Sequence, residues 1–156
     1  MYWNGTYYLV RCNNRSVTLV TSKDFVKWSE PVDIFTAPQA GWNCESPTLM
    51  RHDETFYLFW CLWDSGGSGA ELPALYDGHD PSTYDYRTYV YTSETPTNFH
   101  DRSPVTELKA HAPEIVQDEK GDYFISSADY PQRGINLARL VWKSGNQEIP
   151  GQESGI

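Results

Sequence analysis

The chain repeats one short β plan three times, and a unit of that length cannot bury its own faces without a neighbour. Asn4-Gly5-Thr6-Tyr7-Tyr8-Leu9-Val10, His52-Asp53-Glu54-Thr55-Phe56-Tyr57-Leu58-Phe59 and Glu119-Lys120-Gly121-Asp122-Tyr123-Phe124-Ile125-Ser126 each set a tight polar turn before an aromatic, aromatic, aliphatic run. That is the pattern of a turn leading into a packed strand. The second and third copies follow matching segments, Glu45-Ser46-Pro47-Thr48-Leu49-Met50 and His111-Ala112-Pro113-Glu114-Ile115-Val116, with Pro47 ten residues before Tyr57 and Pro113 eleven before Phe124. A third strand comes next in each unit: Val17-Thr18-Leu19-Val20-Thr21-Ser22, Tyr89-Val90-Tyr91-Thr92-Ser93 and Ile135-Asn136-Leu137-Ala138-Arg139-Leu140. Asp24-Phe25-Val26-Lys27-Trp28, echoed by Thr97-Asn98-Phe99-His100, reads as a closing fourth element.

No window holds a helical apolar stripe, so the expected class is all-β, and four-stranded repeats of about 40 to 50 residues predict the blades of a β-propeller. Blades are expected near residues 1–31, 44–103 and 109–143, making 1–143 a partial propeller and 144–156 a polar, glycine-rich C-terminal tail. The first repeat lacks a segment matching the two proline strands, which would fall just before Met1. About three blades of an incomplete ring is therefore the expectation, since closed propellers use at least four. The second blade carries a turn-rich insertion from Asp64 to Tyr86.

Composition narrows the function. With 12 basic and 21 acidic residues, the net charge of -9 opposes approach to phosphate backbones and anionic lipid surfaces. A mean hydropathy of -0.60 and the absence of a long apolar run argue against a membrane-embedded chain. Nucleic acid and membrane are thus not expected partners. Cys12, Cys44 and Cys61 are odd in number and lack metal-site spacing, so they read as free thiols in or near the core, with no metal site indicated. Met1-Tyr2-Trp3-Asn4-Gly5 carries no secretion signal. The compartment stays open, a secreted or periplasmic parent being compatible with a natural start further upstream.

The chemistry is expected where inner strands converge on a propeller axis. The residue two before the repeat proline is Glu45 in one blade and His111 in the next. An acid and an imidazole at equivalent positions of adjacent apolar segments point to a shared central pocket rather than to core filling. Trp42, Cys44 and Pro47 flank Glu45, and an apolar wall of that kind favours a protonated carboxyl, which suits a proton donor. Trp42, Trp63 and Asp64 sit near the ends of strands leading to the pocket mouth. Each Trp either stacks on a sugar ring or packs within a blade, and Asp64 is placed to accept hydroxyl hydrogen bonds. Asp80-Pro81 lies in the insertion, a poor platform for a second catalytic carboxylate.

These segments resemble the five-bladed β-propeller glycoside hydrolases, the group that includes families 43 and 32. Asn4-Gly5-Thr6-Tyr7-Tyr8-Leu9 followed by Thr21-Ser22-Lys23-Asp24-Phe25-Val26-Lys27-Trp28 is similar to their blade pattern, and Trp42-Asn43-Cys44-Glu45-Ser46-Pro47 resembles the motif bearing their general-acid glutamate. The resemblance implies that Glu45 is the catalytic acid and that His111 lines the centre, as a histidine does in some members. It also implies a nucleophile or base carboxylate on an earlier blade, which would lie upstream of Met1. A Ca²⁺ on the axis is compatible with the group, but nothing in the sequence indicates one, and no cofactor is expected. Three readings follow: a glycosidase-like chain acting on O-glycosidic bonds of an oligo- or polysaccharide without its upstream carboxylate, a non-catalytic carbohydrate-binding module, and a structural fragment. In each, open blade edges favour a homo-oligomer.

Overall fold

A computed structural model describes residues 1–39, 41–64, 87–128 and 134–142, the side chains of Trp63 and Asp64 excepted. Eleven strands lie among them: β1 (Tyr2–Trp3), β2 (Thr6–Asn13), β3 (Ser16–Ser22), β4 (Val32–Thr36), β5 (Trp42–His52), β6 (Thr55–Asp64), β7 (Thr88–Ser93), β8 (Thr106–Leu108), β9 (Ile115–Gln117), β10 (Tyr123–Ala128) and β11 (Ile135–Leu140). They form three antiparallel sheets in meander order, β1-β2-β3-β4, β5-β6-β7-β8 and β11-β10-β9. The fold is all-β, and among the described residues no helix is long and apolar enough to cross a membrane.

The turns explain the strand order. Asn4 and Gly5 both take positive φ, 47° and 71°, the requirement of a two-residue type I′ hairpin, and Trp3 pairs with Thr6 across it. Asn14 and Asp53, with φ of 53° and 51°, serve the next two hairpins, each a residue type that tolerates the left-handed region. At the start of β10 the Asp118 carboxylate accepts hydrogen bonds from the N–H groups of Lys120 and Asp122 at 2.9 and 2.8 Å. Asp118 therefore shapes its turn as well as facing solvent.

The fourth strand lies elsewhere than expected. Asp24 to Trp28 is a capped turn: the Asp24 carboxylate accepts from the N–H of Val26 and of Lys27, and the Ser22 hydroxyl accepts from the N–H of Phe25. Those hydrogen bonds from Lys27 and Val26 hold the Asp24 carboxyl below its usual range. With the backbone N–H groups taken by side chains and Phe25 at φ 61°, the segment cannot continue a ladder. β4 and β8 close the first two sheets instead. The sheets consequently span Tyr2–Thr36, Trp42–Leu108 and Ile115–Leu140, against expected blade limits of 1–31, 44–103 and 109–143. The insertion over 65–86 and the tail over 143–156 lie outside the described residues.

β6 shows why the sheets stack. Its sequence is apolar on both faces, as expected for a strand covered on two sides. Phe56, Leu58, Trp60 and Leu62 join Val17, Leu19, Ile34 and Phe35 of the first sheet in one core. Phe35 meets Trp60 and Tyr91 with ring centroids 5.3 and 4.7 Å apart, while Trp60 stacks on Tyr89 at 5.2 Å. Backbone bonds latch these two sheets: Cys44 N–H to Asn14 carbonyl and Phe99 N–H to Ile34 carbonyl, both 2.8 Å. On the other face of β6, Tyr57 touches Trp142, which also stacks on His52 at 4.2 Å and meets Tyr123 of the third sheet edge-on.

Phe35→Ala removes the ring that joins the first two sheets, and a loss of about 3–5 kcal/mol is expected. Val26→Ala, at a position 77% exposed, is expected to stay within about 0.5 kcal/mol. Urea unfolding of both variants beside the parent checks this contrast; equal effects would place the joining contact elsewhere.

Candidate active site

Glu45 is aimed by a break in β5. Thr48 pairs with Phe59, and continuing that register would set Glu45 opposite Leu62. The register shifts between Glu45 and Thr48, so Glu45 pairs with Cys61 instead. Ser46, inside the shift, has φ of 45°. A non-glycine residue in the left-handed region is uncommon, and a following proline restricts it further. The extra residue bends the strand and re-aims the neighbouring side chain. Directly opposed residues of an antiparallel pair project to one face. Glu45 and Cys61 thus share the face of the second sheet that looks toward the third.

The same backbone device recurs one sheet on. Ala112, between His111 and Pro113, has φ of 48°. Both main-chain groups of His111 are anchored: its N–H donates to the Ser127 hydroxyl and its carbonyl accepts from Ala128 N–H, each at 2.9 Å. The Thr48 hydroxyl reaches the Pro113 carbonyl at 3.4 Å and ties the two segments together. The imidazole Nε2 lies 4.0 Å from the Glu45 Oε2, with the side chains 16% and 27% exposed.

These two groups line an open cleft of about 480 Å³ together with Cys12, Asn14, Asn43, Cys44 and Ser46, a volume suited to a small-molecule ligand. Among the described residues Glu45 is the one carboxylate lining it. Burial lowers the His111 pKa below its usual value, and the Glu45 charge acts in the opposite sense. Burial also pushes the Cys12 thiol up to about 12, with the Glu45 charge adding to the effect, so Cys12 is a neutral thiol at neutral pH. Cys44 is raised as well, first by burial. A part-buried carboxyl beside an imidazole can exchange protons with a ligand in the cleft, and the amides of Asn14 and Asn43 can bond hydroxyl groups.

The structure brings together Glu45 and His111 but leaves Trp42 apart. Trp42 projects to the opposite face of β5 and stacks on Tyr89 at 5.6 Å, beside Trp60 at 6.4 Å. It serves the core between the first two sheets, the packing alternative that the sequence left open. Alternation along the strand makes this inevitable once Glu45 faces the cleft, because the two are three residues apart. Trp63 and Asp64 pair through the backbone with Asn43 and Trp42, and their side chains, like Asp80, lie outside the described residues. Cys12, Asn14, Asn43 and Cys61 were not singled out as site residues from sequence. Asn14 and Asn43 carried a signal, since each lies at the end of a strand that meets the cleft; Cys61 did not, because its position depends on the shifted register.

No protein-family model matches the chain, and no curated protein does. Solved structures do. An exo-β-1,3-galactanase from Clostridium thermocellum superposes with a TM-score of 0.67 at 16% identity, over 90% of this chain and 33% of that one. A GH43 β-1,3-galactosidase gives 0.65 at 17%, over 90% and 31%, and an exo-1,5-α-L-arabinanase from a bovine ruminal metagenomic library gives 0.57 at 19%, over 90% and 47%. The chain spans about a third of the length of the first two and under half of the third. Over nine-tenths of its own length, then, the chain has the fold of the family 43 β-propeller glycoside hydrolases.

Proposed function

We propose that the chain is part of a glycoside hydrolase-type β-propeller, its three sheets being blades of a five-bladed ring, and that its cleft binds the sugar at a scissile O-glycosidic bond. Glu45 is the proton donor to the leaving oxygen. His111 lines the same subsite. The observation that carries the reading is the approach of Glu45 to His111, each followed by a left-handed residue and a proline, on a fold shared with an exo-β-1,3-galactanase, a xylan β-1,4-xylosidase and an exo-1,5-α-L-arabinanase. Glycosidic hydrolysis takes two carboxyl groups about 5 to 9.5 Å apart. The second carboxylate of this site is supplied from outside the described residues. A non-catalytic carbohydrate-binding role is the second reading, favoured by Glu45 being the sole carboxylate among the described residues that line the cleft.

Titration calorimetry with galacto-, xylo- and arabino-oligosaccharides, beside hydrolysis of the corresponding aryl glycosides and of fructans, tests this. Binding to at least one class is expected, retained in Glu45→Gln. Any hydrolysis is expected to fall by about 10²–10⁴ in that variant, the usual weight of a general acid. Absence of binding to every class overturns both readings, whereas turnover that is lost in Glu45→Gln selects the first.

A pH measurement follows from the burial of His111. Its imidazole is expected to titrate below the ordinary histidine value of 6.5, and in Glu45→Gln lower still, because the opposing charge is gone. The sign for stability follows: a depressed pKa gives a contribution present above 6.5 and lost as pH falls through the folded-state value. Carbon-detected titration of the four histidines checks the order, and an upward shift in the variant would be contrary to it.

Self-association is also part of the proposal. Among the described residues β11 is an edge strand of the third sheet, with Ile135 78% and Leu137 68% exposed, the kind of apolar edge that pairs with another chain. Light scattering is expected to find an oligomer that Leu137→Lys shifts toward monomer; a monomeric parent would refute the pairing.

A further inference from the structure

The break in β5 does more than aim Glu45, because it also brings a buried thiol to the same point. The carboxylate of Glu45, the Sγ of Cys61 and a ring nitrogen of His111 all lie within 4.8 Å of one another. Glu45 and Cys61 are held as a cross-strand pair on β5 and β6. His111 comes from the next sheet, with both of its main-chain groups bonded. We propose that Glu45, Cys61 and His111 bind a borderline-soft divalent cation of the Zn²⁺ type, with its fourth coordination position open to the cleft.

Three points favour this ion class. Thiolate, imidazole and carboxylate are the ligand types of tetrahedral zinc, and three protein ligands with one open position is the usual form of a reactive site. Ca²⁺ asks for six to eight oxygen donors, so this donor set selects against it. Tetrahedral Zn²⁺ bonds of roughly 2.0–2.3 Å put neighbouring donors about 3.3–3.6 Å apart, a modest contraction from the present separations. Cys61 is fully buried, whereas Glu45 and His111 line the cleft, so the ion enters past the two and meets the thiol behind them. Binding exchanges the thiol proton for the metal and releases it to solvent.

The site stands independently of the glycosidase reading, but its consequence for activity rests on that reading: a metal-bound Glu45 cannot hold the proton it would donate, so the cation acts as an inhibitor. This proposal departs from the reading drawn from cysteine spacing, which indicated no metal site. Spacing along the chain fails here because the three ligands come from β5, β6 and the segment before β9.

The test uses metal-free protein titrated with Co²⁺, followed by sulfur-to-cobalt charge-transfer absorption, and Zn²⁺ by calorimetry. One ion per chain is expected, with a thiolate band and the intense visible bands of four-coordinate cobalt. Cys61→Ser is expected to abolish the thiolate band, while Cys12→Ser leaves it intact. His111→Ala and Glu45→Gln, in which Cys61 is retained, are expected to weaken binding by about tenfold or more. Circular dichroism establishes that each variant is folded. Should Cys61→Ser not fold, unchanged affinity in both other variants overturns the site. Absence of a thiolate band in the parent, or its persistence in folded Cys61→Ser, overturns it outright. None of these outcomes depends on sugar binding, so failure of the metal site and failure of the glycosidase reading are told apart.

Discussion

The packing of Phe35 against Trp60 and Tyr91 seats the first sheet on the second, and one side of the cleft, with Cys12 and Asn14, is built on that seating. Buried aromatics each remove a large apolar area from water and add directional ring contacts. Here they form a continuous stack, since Trp60 touches Tyr89 and Tyr89 touches Trp42. With the two sheets so held, Asn14 at the end of β2 accepts the N–H of Cys44. That bond brings the loop of one sheet to the start of the inner strand of the next. Cys12 and Asn14 consequently stand beside Glu45 and Asn43 although some thirty residues separate them along the chain.

Two strained backbone steps stand beside the cleft. Ser46 and Ala112 both hold left-handed backbone, at φ of 45° and 48°, conformations that cost of the order of 1–3 kcal/mol and persist only when their surroundings determine them. The surroundings are visible: Thr48 bonds the Pro113 carbonyl, and the His111 main chain is tied to Ser127 and Ala128. A regular strand would point Glu45 at the register position of Leu62 and leave it among apolar neighbours. The break trades ladder regularity for a carboxylate, a thiol and an imidazole at one point.

Much of the architecture was legible in the sequence because its signals are local. Turn residues such as Asn4-Gly5 announce hairpins, and the aromatic runs behind them announce the central strands. The recurrence of Glu45-Ser46-Pro47 as His111-Ala112-Pro113 marked the two positions that meet. What escaped depends on longer-range or side-chain effects. Asp24-Phe25-Val26-Lys27-Trp28 has a strand-like composition, yet its N–H groups are captured by Ser22 and Asp24. Trp42 has the look of a sugar platform, but the parity of β5 sends it to the core. Cys61 was hidden most completely, since a shift of one residue in pairing decides which side chain Glu45 faces.

Matching left-handed steps at the entry to successive sheets separate the aim of a side chain from its identity. The backbone at Ser46 and at Ala112 is set by the same left-handed step before a proline, yet the residue it presents is an acid in one unit and an imidazole in the other. A duplicated unit built this way inherits a socket rather than a function. Its central groups can diversify by single substitutions, each unit contributing one functional group to a shared point without disturbing how its neighbours pack.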